Sequence, residues 1–124
     1  MSYSKNTPKK FDVLVYIGRF QPFHNGHLAV VKEALKHCDR LLILVGSANA
    51  PLSLRNPFDY LQRSRMIVDS IFDGKNSDRE NSDRVDVIPL NDYTYHDDRW
   101  MTAVRNIVEF QTKPTTKVGL VGMQ

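Results

Sequence analysis

The residue types best suited to chemistry lie in one stretch, Gly18-Arg19-Phe20-Gln21-Pro22-Phe23-His24-Asn25-Gly26-His27. His24 and His27 are three apart, so at the start of a helix they share a face and offer two ring N–H donors to one polyanion. Gly18 lets the backbone turn or approach a ligand closely, Pro22 stiffens the loop, and Gly26 leaves room for a phosphate beside the first turn. Arg19 adds a permanent positive charge able to steady a phosphate. On an arbitrary helix two such histidines would be solvated surface, and a zinc pair is the other alternative. No cysteine or carboxylate at ligand spacing accompanies them, so no metal-ligating residue is assigned. Neither a Gly-x-x-x-x-Gly-Lys-Ser/Thr loop nor a Gly-x-Gly-x-x-Gly pattern occurs, which argues against an ordinary NTPase and a dehydrogenase.

A phosphate grip of this kind needs a strand before it and a helix behind it. Asp12-Val13-Leu14-Val15-Tyr16-Ile17 is short, continuous in hydrophobicity and rich in β-branched residues, as a strand buried on both faces is. Leu28, Val31, Ala34 and Leu35 recur at helical spacing and predict a helix over 25–37. Leu41-Leu42-Ile43-Leu44-Val45 repeats the strand signature and completes a β-α-β unit. Asn56-Pro57-Phe58-Asp59 predicts the next helix, with Asn56 as N-cap and Pro57 at the first helical position. Its expected apolar side is Phe58, Leu61, Met66, Ile67 and Ile71, with Gln62, Arg63 and Arg65 outside or at an edge, and its end is near Phe72.

The polar segment 73–84 reads as a mobile surface connection. Val85-Asp86-Val87-Ile88-Pro89-Leu90 reads as a third strand closed by Pro89. The segment 91–99 packs two tyrosines, a histidine and three aspartates, an unusual mixture for a mere connector. A helix over 100–110 and a strand over 117–122 follow. The alternation predicts an α/β fold, a Rossmann-like doubly wound parallel sheet with helices on both faces. In such sheets ligands bind beyond the carboxyl ends of the strands, where a helix amino terminus offers free N–H groups to phosphates.

The 124 residues, 25% charged and 41% apolar, suit one compact domain, expected over 11–124 after a flexible leader over 1–10. The sequence has no run of about 18 apolar residues to span a bilayer and no secretory segment at its start, so a cytoplasmic protein without a membrane partner is expected. The net charge of +3 is scattered along the chain and does not indicate nucleic acid. Cys38, the single cysteine, reads as a packing residue.

His24-Asn25-Gly26-His27 matches the His-x-Gly-His mark of the nucleotidylyltransferase superfamily, which the chain resembles. The longer form from Gly18 to Phe23 resembles the archaeal-type nicotinamide mononucleotide adenylyltransferases, particularly those fused to a Nudix hydrolase. Gly46-Ser47-Ala48-Asn49-Ala50-Pro51, Arg55-Asn56-Pro57-Phe58, the loop 92–100 and Lys117-Val118-Gly119-Leu120-Val121-Gly122 extend the likeness over nearly all the chain after Phe11.

The resemblance implies transfer of AMP from ATP to nicotinamide mononucleotide, giving NAD and pyrophosphate without a covalent enzyme intermediate. Mg2+ would be held mainly by the ATP phosphates and water. Catalysis then reduces to aligning two polyanions and stabilising the charge that moves onto the leaving group. His24, His27 and Arg19 are the implied catalytic residues, and Gly18, Arg19, Phe20, His24, Gly26 and His27 the implied ATP-binding set. Trp100 either stacks on the cationic nicotinamide or anchors the third helix. Asn56, first of all a helix cap, joins Arg55, Asp92 and Tyr95 as the remaining substrate-binding candidates. Phe58 and Phe72 read as core. The alternatives are an adenylyl- or cytidylyltransferase for another phosphorylated acceptor, and a catalytically silent nucleotide-binding fragment.

The chain departs from the family at its end. The second family motif, Ser-x-Thr-x-x-Arg near the start of a later helix, has no counterpart after Val121. The domain is therefore expected to be truncated after the fourth strand, lacking that helix and any Nudix domain, with slow turnover or none. A sheet edge left open in this way would favour homo-oligomers.

Overall fold

The structure, a computed structural model, describes residues 10–72, 83–92 and 97–121. Strands and helices alternate as β1 (Phe11–Gly18), α1 (Asn25–Leu35), β2 (Cys38–Val45), α2 (Tyr60–Ile71), β3 (Val85–Pro89), α3 (Asp97–Gln111) and β4 (Val118–Leu120). The strands form one parallel sheet in the order β3-β2-β1-β4. The chain thus builds outward from β1 through β2 to β3, then returns to β1's other side. That reversal is the topological switch at which open α/β sheets bind ligands.

Successive side chains of a strand point to opposite faces, and both faces of this sheet are covered. Leu14, Tyr16, Leu41, Ile43 and Val45 pack with Val31, Ala34, Leu35 and Ile67 from α1 and α2. Val13, Val15, Leu42 and Leu44 pack with Trp100, Ala103, Val104, Ile107 and Val108 from α3. The doubly wound arrangement follows from this two-sided hydrophobicity. Leu41 to Val45 are fully buried, and each such aliphatic side chain contributes about 1.5–3 kcal/mol. Cys38 is buried too, its thiol donating to the Ala34 carbonyl at 3.2 Å. Among the described residues no helix is long and apolar enough to cross a membrane.

Several boundaries differ from the sequence expectation for local reasons. α1 stops at Leu35, where the Arg84 guanidinium takes the carbonyls of Leu35 at 2.6 Å and Cys38 at 2.8 Å, and the chain enters β2. α2 starts at Tyr60, and its N-cap is Asp59 instead of Asn56. The Asp59 carboxylate accepts from the Gln62 N–H at 2.7 Å while the Gln62 side-chain carbonyl accepts from the Asp59 N–H at 2.9 Å, a reciprocal capping box.

The helix's inward stripe is consequently Tyr60, Arg63, Ile67 and Ile71. Leu61, expected inside, is 73% exposed, and Arg63, expected outside or at an edge, is 0% exposed. Phe72 packs on the core as expected, whereas Phe58 is only half-buried. α3 begins at Asp97, so the end of the segment read as a loop is helical. The readings made for 1–9, 73–82 and Tyr95 lie outside the described residues.

Candidate functional site

The β1–α1 junction is built around two imidazoles that cap the helix. His24 is the N-cap of α1, and its Nδ1 accepts the Gly26 N–H at 3.0 Å. His27, in the first turn, turns its own Nδ1 back to accept the His24 N–H at 3.1 Å. The rings stack with centroids 3.7 Å apart. With both Nδ1 atoms accepting from backbone, the proton of each neutral ring belongs on Nε2, a tautomer fixed by the hydrogen-bond network. The pair is therefore primed as two Nε2–H donors beside a helix amino terminus.

An aromatic bed sets the height of these rings. Phe20 is 2% exposed and packs edge-on against Tyr16 at 5.3 Å and His27 at 5.0 Å, while Phe23 stacks on His27 at 5.5 Å. To swing its ring inward Phe20 adopts φ 52°, a left-handed conformation costing roughly 1–3 kcal/mol for a non-glycine residue. The fold-back explains Gly18, because a Cβ there would sit 2.7 Å from the Phe20 ring. Gly26 has an analogous cause: its Cβ would lie 2.9 Å from Cε1 of His24. Without a Cβ, Gly26 makes room for that imidazole. Burial on the aromatic bed, and next the charge of His24, hold the His27 pKa below its ordinary 6.5.

A second turn faces this one from the end of β2. Ser47 also has a left-handed φ, 54°, and is buried. Its hydroxyl donates to the Asp92 carboxylate at 2.6 Å, and Asn49 bonds the Asp92 backbone through its side-chain carbonyl at 2.9 Å. These contacts join the loops after β2 and β3. The Gln21 side-chain amide bonds the Asn56 side chain and both backbone groups of Phe58, tying the first loop to the segment before α2. Asn56, 2% exposed, spends its amide on Gln21 and the carbonyls of Ala50 and Pro51.

Two cavities open at the carboxyl edge. The first, about 530 Å³, is lined by Gly18, Arg19, Phe20, His24, Gly26 and His27 among others. The second, about 440 Å³, lies at the switch point and is lined by Arg19, Gly46, Ser47, Asp92, Trp100 and Leu120 among others. Both fall within the size range of small-ligand sites. They share Ile17, Gly18 and Arg19, so Arg19 stands on the wall between them.

All six residues expected at the ATP site thus line one cavity, and Asp92 and Trp100 line the other. Arg55 and Asn56 line neither, Arg55 being exposed and Asn56 buried behind the loop. Gln21, Ser47 and Arg63 shape the site without having been picked out from the sequence. Their signal was positional only: Gln21 sits inside the histidine stretch, Ser47 two residues beyond a buried strand, and Arg63 at helical spacing between Tyr60 and Ile67.

A family model described as cytidylyltransferase-like matches residues 15–122. The nicotinamide/nicotinic acid mononucleotide adenylyltransferase of Acinetobacter baylyi is 35% identical over 113 residues, 91% of this chain and 56% of that protein. The nicotinamide-nucleotide adenylyltransferase of Archaeoglobus fulgidus is 40% identical over 93 residues, 75% of this chain and 52% of that one. The chain spans about half the length of these curated relatives. Among solved structures, a bifunctional NMN adenylyltransferase/ADP ribose pyrophosphatase from Francisella tularensis superposes with a TM-score of 0.82 at 35% identity, over 92% of this chain and 32% of that one. A structure of such a protein from the same organism, complexed with AMP and a manganese ion, gives 0.74 at 33% identity, over 89% and 31%.

Proposed function

The chain belongs to the cytidylyltransferase-like family, and from that premise we propose that it serves as a cytoplasmic adenylyltransferase, moving AMP from ATP to nicotinamide mononucleotide and releasing NAD and pyrophosphate. The acceptor's 5′-phosphate attacks the α-phosphorus, the bond to the β-phosphate oxygen breaks, and pyrophosphate leaves with the electron pair. The observation that carries this reading is the pair of cavities meeting at Arg19, one equipped for a polyphosphate and the other for an aromatic ring.

In the first cavity the Nε2–H groups of His24 and His27, together with the α1 amino terminus, hold the triphosphate and stabilise charge reaching the leaving group. In the second, Trp100 offers its ring face to the cationic nicotinamide, near the Asp92 carboxylate. Arg19 neutralises the two phosphates that must approach each other, which is the main obstacle when both reactants are anions. Mg2+ carried on the ATP phosphates would supply further charge neutralisation. The charged and imidazole side chains of the first cavity, Arg19, His24 and His27, carry N–H donors and none of the carboxylates Mg2+ prefers, and among the described residues no three His, Cys, Asp or Glu side chains converge.

The test is to incubate the protein with ATP, Mg2+ and each candidate acceptor in turn and to follow pyrophosphate. Release with nicotinamide mononucleotide alone supports the assignment. Release only with pantetheine phosphate, flavin mononucleotide or a phosphorylated alcohol overturns the acceptor, and nucleotide binding without release makes the chain a silent module.

A further inference from the structure

Arg63 is the largest fully buried side chain among the described residues, and it is an ion. Its four hydrogen-bond partners there are all main-chain carbonyls: Asp59 to Nε at 3.2 Å, Arg19 at 2.9 Å and Gly46 at 2.6 Å to one terminal nitrogen, and Ser47 at 3.2 Å to the other. No carboxylate touches it among the described residues. A buried cation with neutral partners is a costly way to stabilise a fold, because desolvation is not repaid by an ion pair.

The identity of those carbonyls suggests what the cation does. The left-handed residues of this sheet edge, Phe20 and Ser47, each stand two positions beyond a strand end. The carbonyl of Arg19 lies in the peptide plane whose rotation is the φ of Phe20, and that of Gly46 in the plane that sets the φ of Ser47. One terminal nitrogen of Arg63 grips both planes, and the planar fork of a guanidinium fixes their relative orientation.

Resting on the functional reading above, we infer that Arg63 is a positioning residue for adenylyl transfer: it clamps the turns after β1 and β2 so that Arg19 stands between the two phosphate-bearing substrates. Arg63 lines neither cavity and acts through Arg19. Its effect therefore extends to both ligands, since Arg19 walls both cavities.

A double-mutant cycle reads this coupling. MgATP and nicotinamide mononucleotide are titrated calorimetrically into the wild type, Arg63→Lys, Arg19→Ala and the double variant, each checked for folding by circular dichroism. Lysine keeps the charge and loses the fork. Arg63→Lys is expected to weaken both ligands roughly 10- to 100-fold, the scale of a small misplacement at a reacting centre, and by less than about twofold when Arg19 is already alanine. Equal losses in both backgrounds, or unchanged affinity, overturn the positioning role while leaving the functional reading intact. A wild type that binds neither nucleotide overturns both.

Should Arg63→Lys not fold, the wild type still decides. The Arg63 Nε–H resonance is expected to shift when MgATP fills the first cavity, although the ligand does not touch it. A resonance that stays in place at saturation refutes the clamp.

Discussion

His24 and His27 cap one helix with each other's company: the His24 ring takes the Gly26 N–H, the His27 ring takes the His24 N–H, and the two rings lie stacked 3.7 Å apart. The motif therefore closes the start of α1 and aims two donors with the same four ring nitrogens, Nδ1 inward and Nε2 outward. Structure and chemistry are coupled here through protonation, since an imidazolium has no acceptor left for a cap.

That coupling has a sign. Because His27 titrates below its ordinary 6.5 in the fold, the unfolded chain binds protons more readily than the folded one. The contribution to stability is full above about pH 6.5 and is lost as pH falls through the lowered pKa of His27. Melting temperatures of the ligand-free protein should decline below that pH, and His27→Gln should flatten the decline. An unchanged pH profile in the variant would remove His27 as its source.

Gly26→Ala sets two effects against each other. Alanine favours a helix over glycine by about 0.5–1 kcal/mol, but its Cβ would displace the His24 ring, and a lost N-cap costs about 1 kcal/mol. Stability in urea should hardly change while MgATP affinity falls. Undiminished affinity would mean that the ring's position is immaterial to the ligand.

His27→Ala should lower pyrophosphate release by about 10²- to 10³-fold, the usual consequence of removing one donor from developing charge. Circular dichroism should show the fold retained. A rate equal to wild type would take His27 out of the mechanism.

Much of this was legible in the residues. The inner parts of β1 and β2, Val13 to Ile17 and Leu41 to Val45, are continuous apolar runs with no polar side to misread, and the histidines fall where a βα loop must be. The second helix was misread because Asn56-Pro57 has the chemistry of a helix start, yet tertiary contacts won: Gln21 consumes the Asn56 side chain, and Asp59 three residues later forms the cap. Arg63 and Leu61 were exchanged for the same reason. Moving the helix start fixes which side faces the sheet, and an arginine's preference for water yields when four carbonyls converge on it. The left-handed turns at Phe20 and Ser47 have no sequence signature, because glycine or asparagine would ordinarily mark them.

Trp100 is the single tryptophan, so its fluorescence reports on the second cavity directly. Nicotinamide mononucleotide should quench it. Trp100→Phe should raise the acceptor KM roughly 2- to 10-fold, as expected when a cation–π contact is weakened, and leave the ATP KM unchanged. Equal changes in both constants would mark Trp100 as an anchor of α3 alone.

The most direct measurement is a crystal structure with Mg2+ and a non-hydrolysable ATP analogue. Phosphate oxygens should lie about 2.7–3.2 Å from Nε2 of both His24 and His27, with each Nδ1 still turned to the backbone. A triphosphate lodged elsewhere, or rings reversed so that Nδ1 faces the ligand, would contradict the account.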